Sequence, residues 1–196
     1  MTYDLLAALA VFAFVSSITP GPNNLMLMSS GANFGFVRSI PHMLGIGIGF
    51  VFMLVMVGLG LAQIFTAYPW LHTVLTVASV LYLLYLAWKI ATAAPVQAGE
   101  AKGRPFTFLQ AAAFQWVNPK AWTMALTAVT VYTPDTSLHA VLIVGLVFGA
   151  INLPSVSSWT LLGVQMARLL RSPRHLAMFN WTMAALLVAS LYPALA

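Results

Sequence analysis

The chain has 196 residues, of which 61% are hydrophobic and 6% charged, with a formal net charge of +5 and a mean hydropathy of +0.93. Soluble domains carry roughly 25% charged residues, so these figures exclude an ordinary solvated globule and point to a polytopic membrane protein. The chain has no cysteine, which excludes disulfides, thiolate metal sites and thiol redox chemistry.

Six apolar stretches follow one another, most of them near the roughly 20 residues needed to cross hydrocarbon. The first begins near Tyr3 as DLLAALAVFAFVSSI, with no basic segment ahead of it and no small-residue cleavage site, so it reads as a retained span. Taken only to Ile18 it is short for a crossing. The string TPGPNN intervenes, and apolar sequence resumes as LMLMSS. Carrying the helix on to Ser29 or Ser30 restores a full crossing with a break inside it. The alternative is a cytoplasmic turn followed by an interfacial segment. The second span is expected at 40–66, with Gly45, Gly47, Gly49, Gly58 and Gly60 as a close-packing face. The third runs from Trp70 to Ala91. A polar linker, APVQAGEAKGRPF, covers 94–106. The fourth span, about 107–131, carries QWVNPKAW in its middle; the fifth is expected at 137–166 and the sixth at 175–194.

Three spans precede the linker and three follow it, and each triplet opens with a span interrupted by proline and asparagine. Matched breaks in two halves point to an inverted repeat with a site at the repeat interface. With an odd number of spans per half, homologous halves lie in opposite orientations. The expected architecture is therefore one all-α transmembrane domain over 1–196. It has six helices in a 3+3 inverted repeat, with helices 1 and 4 broken, half-repeats at about 1–92 and 107–196, and a cytoplasmic linker at 93–106. The alternative is coincidence, because proline and glycine are common in membrane helices.

Apart from Lys120, the basic residues Arg38, Lys89, Lys102, Arg104, Arg168, Arg171 and Arg174 flank loops 1–2, 3–4 and 5–6. Loops 2–3 and 4–5 have none. The positive-inside rule makes the basic loops cytoplasmic and both termini periplasmic. Topology thus accounts for the positive charge, and no nucleic-acid partner is expected.

Certain residues are costly in lipid, where every freed backbone group needs a partner. Pro20 and Pro22 lack an N–H and free carbonyls one turn earlier; Gly21 between them allows a bend or a close approach. Asn23 and Asn24 are placed to cap a restarting half-helix, whose N–H groups suit a carboxylate. Asn118, Pro119 and Lys120 form the second break. A lysine at mid-membrane is a functional-site hypothesis, its alternative being a side chain that snorkels to the interface. Gln115 lies one turn from Asn118. Asn152, with Pro154, is a third polar interruption. Trp116 and Trp122 flank the second break but do not share a helix face cleanly. His42, after Pro41, is a candidate proton relay, with placement at the interface the alternative. No histidines have metal-ligand spacing, and neither a metal nor another cofactor is expected. No carboxylate falls inside an expected span, which argues against an enzyme built on paired acids or a serine triad.

With TPGPNNLMLMSSGANFGFVRSIPHMLGIGIGF at 19–50, FQWVNPKAW at 114–122 and the spacing of its six apolar segments, the chain resembles the LysE/RhtB family of bacterial amino acid exporters over nearly its whole length. The family's two motifs map onto Pro20, Gly21, Pro22 and onto Asn118, Pro119, Lys120. The resemblance implies a multi-pass carrier of the bacterial inner membrane that exports amino acids or close derivatives, driven by the proton motive force. Lysine, arginine, threonine, homoserine and leucine are among the family's substrates. The closing WTMAALLVASLYPALA departs from the glycine-rich pattern of many members, which bears on specificity. With no acid visible to meet a cationic side chain, a small neutral zwitterion fits best. Lys120 or backbone dipoles would hold its carboxylate, and asparagine and serine oxygens its ammonium group. The rivals are a non-transport membrane protein and an exporter of another small solute. A homo-oligomer is compatible with the chain.

Overall fold

A computed structural model describes residues 1–92, 104–133, 137–169 and 172–192. Most of the linker lies outside these residues, as do Asp135 and Arg171. The described residues are helical, in nine α-helices joined by short turns.

Helix α1 spans Tyr3–Ile18, with the Thr2 hydroxyl accepting from the Leu5 N–H at its start. It stops at the PGP string. Helix α2, Pro22–Phe34, starts again with Pro22 in its first turn, where a missing N–H leaves no intrahelical bond unmade. The two are bent by 53°. Gly35 closes α2 with φ of 81°, a left-handed conformation that favours glycine. Helix α3 follows at once over Phe36–Met56. A π turn at Val57–Leu61, with Gly60 at φ 106°, separates it from α4, Ala62–Ala67. The second span therefore starts earlier than the 40–66 expected from the sequence, because the turn falls at Gly35 and Pro41 lies inside α3.

Helix α5 is Trp70–Ala91. Helix α6, Phe108–Phe114, opens with a capping box between Thr107 and Gln110. A 3-10 turn at Gln115–Val117 and an extended Asn118 break the chain before α7, Pro119–Tyr132. Helix α8, Leu138–Leu169, carries Pro154 inside it, and α9 is Pro173–Ala189.

Three single stretches, Phe36–Leu61, Trp70–Ala91 and Leu138–Ala167, are long and apolar enough to cross a membrane, and the bent pair α1–α2 makes a fourth crossing if it is one span. The protein is thus all-α and polytopic. Against six expected crossings, the second-half broken pair is interrupted at Asn118, and α9 has 17 residues.

Helix α8 packs along α1, α2 and α3; α6 packs on α3, and α5 on α9. Between helices in lipid the contact is made by close packing and polar bonds rather than by expulsion of water. The α2–α8 crossing shows the extreme case. A Cβ on Gly31 would sit 2.1 Å from the Thr160 carbonyl oxygen, and one on Gly163 would sit 2.0 Å from that of Met28. On α3, Gly45 and Gly49 admit α6 in the same way, facing Phe108 and Ala112. One apolar core gathers Leu9, Phe50, Met53 and Phe148; a second gathers Leu25, Leu83, Phe114 and Leu187.

Candidate substrate site at two helix breaks

Where α1 ends, its last carbonyls have no helical partners. Side chains supply them one by one. The Thr19 hydroxyl donates to the Ser16 carbonyl at 3.1 Å. The Asn24 amide donates to the carbonyls of Ser17 and Thr19, both at 2.8 Å. The Trp159 indole, from α8, donates to Ile18 at 3.0 Å. The Lys120 ammonium, from the first turn of α7, reaches the Thr19 carbonyl at 2.8 Å, the Thr19 hydroxyl at 2.9 Å and the Pro20 carbonyl at 3.3 Å. An ammonium has three donors, so this lysine is fully occupied by the end of α1. Gly21 gives it room: a Cβ there would lie 2.8 Å from Lys120 Cδ and 3.2 Å from Nζ.

The second break is built from its own capping residue. Asn118, 2% exposed, accepts the Lys120 N–H at 3.2 Å and so starts α7. Asn23 and Gln115 bind the two breaks together through a reciprocal amide pair, at 2.8 and 3.1 Å. Gln115 also donates to the Ala111 carbonyl at 2.9 Å. Asn152 of α8 donates to the Ser17 hydroxyl at 3.2 Å, while its Oδ1 is buried with no hydrogen-bond partner.

Gly21, Asn23, Asn24, Asn118, Lys120 and Asn152 all border a cavity of about 20 Å³, room for about one water. Gln115 stands behind Asn23, Pro20 contributes its carbonyl, and Pro22 and Pro119 start the half-helices. A cavity of this volume does not hold an amino acid as it stands.

His42 is not joined to this cluster. It is 2% exposed, its ring lies 5.2 Å from that of Phe106, and neither ring nitrogen has a partner. It occupies the interior rather than a solvent-facing position. Thr19, Ser17 and Trp159 were not singled out from the sequence. Thr19 directly precedes the proline pair, and an indole N–H inside an apolar span needs an acceptor; those were the available signals. Trp116 and Trp122 also behave differently from their spacing. The turn at the second break resets the helix phase, so the Trp122 indole donates to the Trp116 carbonyl at 2.9 Å and the rings meet edge-on at 6.1 Å.

Apolar crossing helices, two breaks and polar side chains gathered between them define the build of a secondary transporter of the membrane-embedded kind. Residues 14–190 match the family described as LysE type translocator. Relatives include the cysteine/O-acetylserine efflux proteins of Escherichia coli (strain K12), Escherichia coli O9:H4 (strain HS) and Shigella sonnei (strain Ss046). Each is 31% identical over 190 residues, covering 96% of this chain and 96% of the relative. No solved structure matches the chain. The chain belongs to the LysE type translocator family, and it is a transport protein, not an enzyme.

Proposed function

We propose that this secondary amino-acid exporter carries small neutral amino acids or close derivatives, and that substrate passes between the PGPNN and NPK breaks. The observation that carries the reading is the Lys120 ammonium, brought from the second break to the end of the first. When the half-helices part, the substrate carboxylate takes the place of the Thr19 and Pro20 oxygens on Lys120. The N-terminal turn of α2 lies beside it. The unpaired Oδ1 of Asn152 and the Ser17 hydroxyl are positioned to accept from the substrate ammonium group. Apart from Asp4, the described residues hold no carboxylate, which disfavours a cationic side chain in the cargo. The named cargoes of the relatives, cysteine and O-acetylserine, are both neutral zwitterions of this size.

The inner-membrane, multi-pass character holds for the chain as a whole. The finer reading is six crossings in a 3+3 inverted repeat, with half-repeats at about 1–92 and 107–196 and both termini periplasmic. Its support is reciprocal packing: α1 lies on α8, and α6 lies on α3, so each half's broken segment packs on the other half's long helix. Alternating access then follows from rocking one half on the other. Export is driven by the proton motive force, with His42 or the substrate's own groups as the titrating partner.

The test is efflux from cells loaded with dipeptides, comparing the chain with Lys120→Met at matched expression. Loss of more than tenfold in neutral amino-acid efflux is expected; unchanged efflux removes Lys120 from the site.

A further inference from the structure

A second cavity of about 490 Å³ lies away from the breaks, within the size range of small-molecule sites and far larger than the closed pocket. Its buried floor sets polar side chains among the apolar Met26 and Leu86. Ser29, Ser30 and Asn33 come from the C-terminal half of α2, and His42 from α3. Its rim is cationic: Lys89, near the end of α5, and Arg104, ahead of α6, both line it and both are exposed. No acidic side chain among the described residues lines it. The ammonium of Lys89 lies 5.5 Å from the Tyr85 ring centre.

Ser30 and Asn33 are already held, Ser30 by the Ser39 hydroxyl at 2.8 Å and Asn33 by the Asn180 amide at 3.1 Å. His42 is not held at all: a donor and an acceptor are buried without partners, an arrangement that needs a reason. Helix α2 connects the two places. Asn23 stands at its start beside the closed pocket, and Ser30 and Asn33 stand further along it beside the large cavity.

We propose that this cavity is an entry site, where the α-carboxylate of a small zwitterionic substrate is bound by Lys89 and Arg104 before the helix breaks open. The inference rests on the amino-acid exporter reading and on the assignment of loop 3–4 to the cytoplasm. Buried polar groups beneath two cations give a small zwitterion partners for both its charges, while Met26, Leu86 and Phe106 line the rest of the cavity. Two charge-assisted bonds orient the carboxylate at the rim.

The test uses the cysteine-free sequence. Thr92 lines the cavity at its exposed rim, so Thr92→Cys in the full-length chain provides a single thiol there. In proteoliposomes, O-acetyl-L-serine is expected to slow modification of that thiol by a charged methanethiosulfonate reagent about tenfold. Its carboxamide analogue is expected to give little protection. Lys89→Gln with Arg104→Gln is expected to abolish protection, and Lys89→Arg to keep it. Equal protection by acid and amide, protection that survives the double substitution, or no protection at all overturns the entry site. Slowing produced by phosphatidylglycerol vesicles without solute, and absent in phosphatidylcholine, assigns the cavity to a lipid headgroup and also overturns it. Efflux of O-acetyl-L-serine by the same proteoliposomes is scored separately: efflux without protection leaves the exporter reading standing and removes only the entry site.

Discussion

At the scale of single residues, the end of α1 shows how a broken helix is tolerated in a membrane. Five consecutive carbonyls, from Ser16 to Pro20, each accept from a side chain. At Ser17, the buried member of the five, losing the donor leaves a buried acceptor unmet, at about 1–3 kcal/mol. Asn24→Ala removes the donor to Ser17 and one of two donors to Thr19, so a loss of thermal stability in detergent is expected. Asn24→Asp is expected to be worse, since a carboxylate would face two carbonyl oxygens. The Asn23–Gln115 pair gives a sharper test, because each amide satisfies the other. Asn23→Leu and Gln115→Leu are each expected to destabilise, and the double variant to lose less than their sum. A coupling of about 1 kcal/mol in that cycle is the expected result; additivity would contradict a bonded pair.

At the scale of elements, the small residues fall into two mechanical classes. Gly31 and Gly163 face backbone at the α2–α8 crossing, so an added methyl group forces the helices apart. Gly31→Ala or Gly163→Ala is expected to cost about 1–3 kcal/mol or more, read as lower yield and lower melting temperature. Gly21 faces the flexible end of Lys120 instead. Gly21→Ala is expected to fold near normally while displacing the ammonium and lowering transport. A reversal of that order, with Gly21→Ala the least stable of the three, would contradict the packing described. The breaks themselves were legible in the sequence, because a missing proline N–H is a local fact. The glycine face was legible in part: Gly45 and Gly49 meet α6 and Gly58 meets Val141, whereas Gly47 has only ordinary contacts and Gly60 makes the turn after α3. What meets each freed carbonyl was not: Lys120 with Thr19 and Trp159 with Ile18 are far apart along the chain, and only the crossing of α7 and α8 over α1 brings them there. The left-handed Gly60 that divides α3 from α4 was likewise hidden within a continuous apolar run.

At the scale of the molecule, composition and the six apolar stretches carried the sequence to an all-α polytopic protein, and the two motifs carried it to the family. The large cavity under Lys89 and Arg104 escaped, because its lining comes from α2, α3, α5 and the segment before α6, and its two cations read only as topology signals. The same charges make a prediction for the whole chain: reporter fusions at the C-terminus are expected to report the periplasm. A cytoplasmic C-terminus would contradict six crossings with both ends outside. The most direct test of the central claim is amino-acid efflux. Cells carrying this chain, and matched cells from which its gene is deleted, are loaded with dipeptides, and internal and external amino acids are measured together. The account predicts faster release and lower internal levels of small neutral amino acids such as cysteine or O-acetylserine when the chain is present. Identical efflux of every amino acid in the two strains would contradict it.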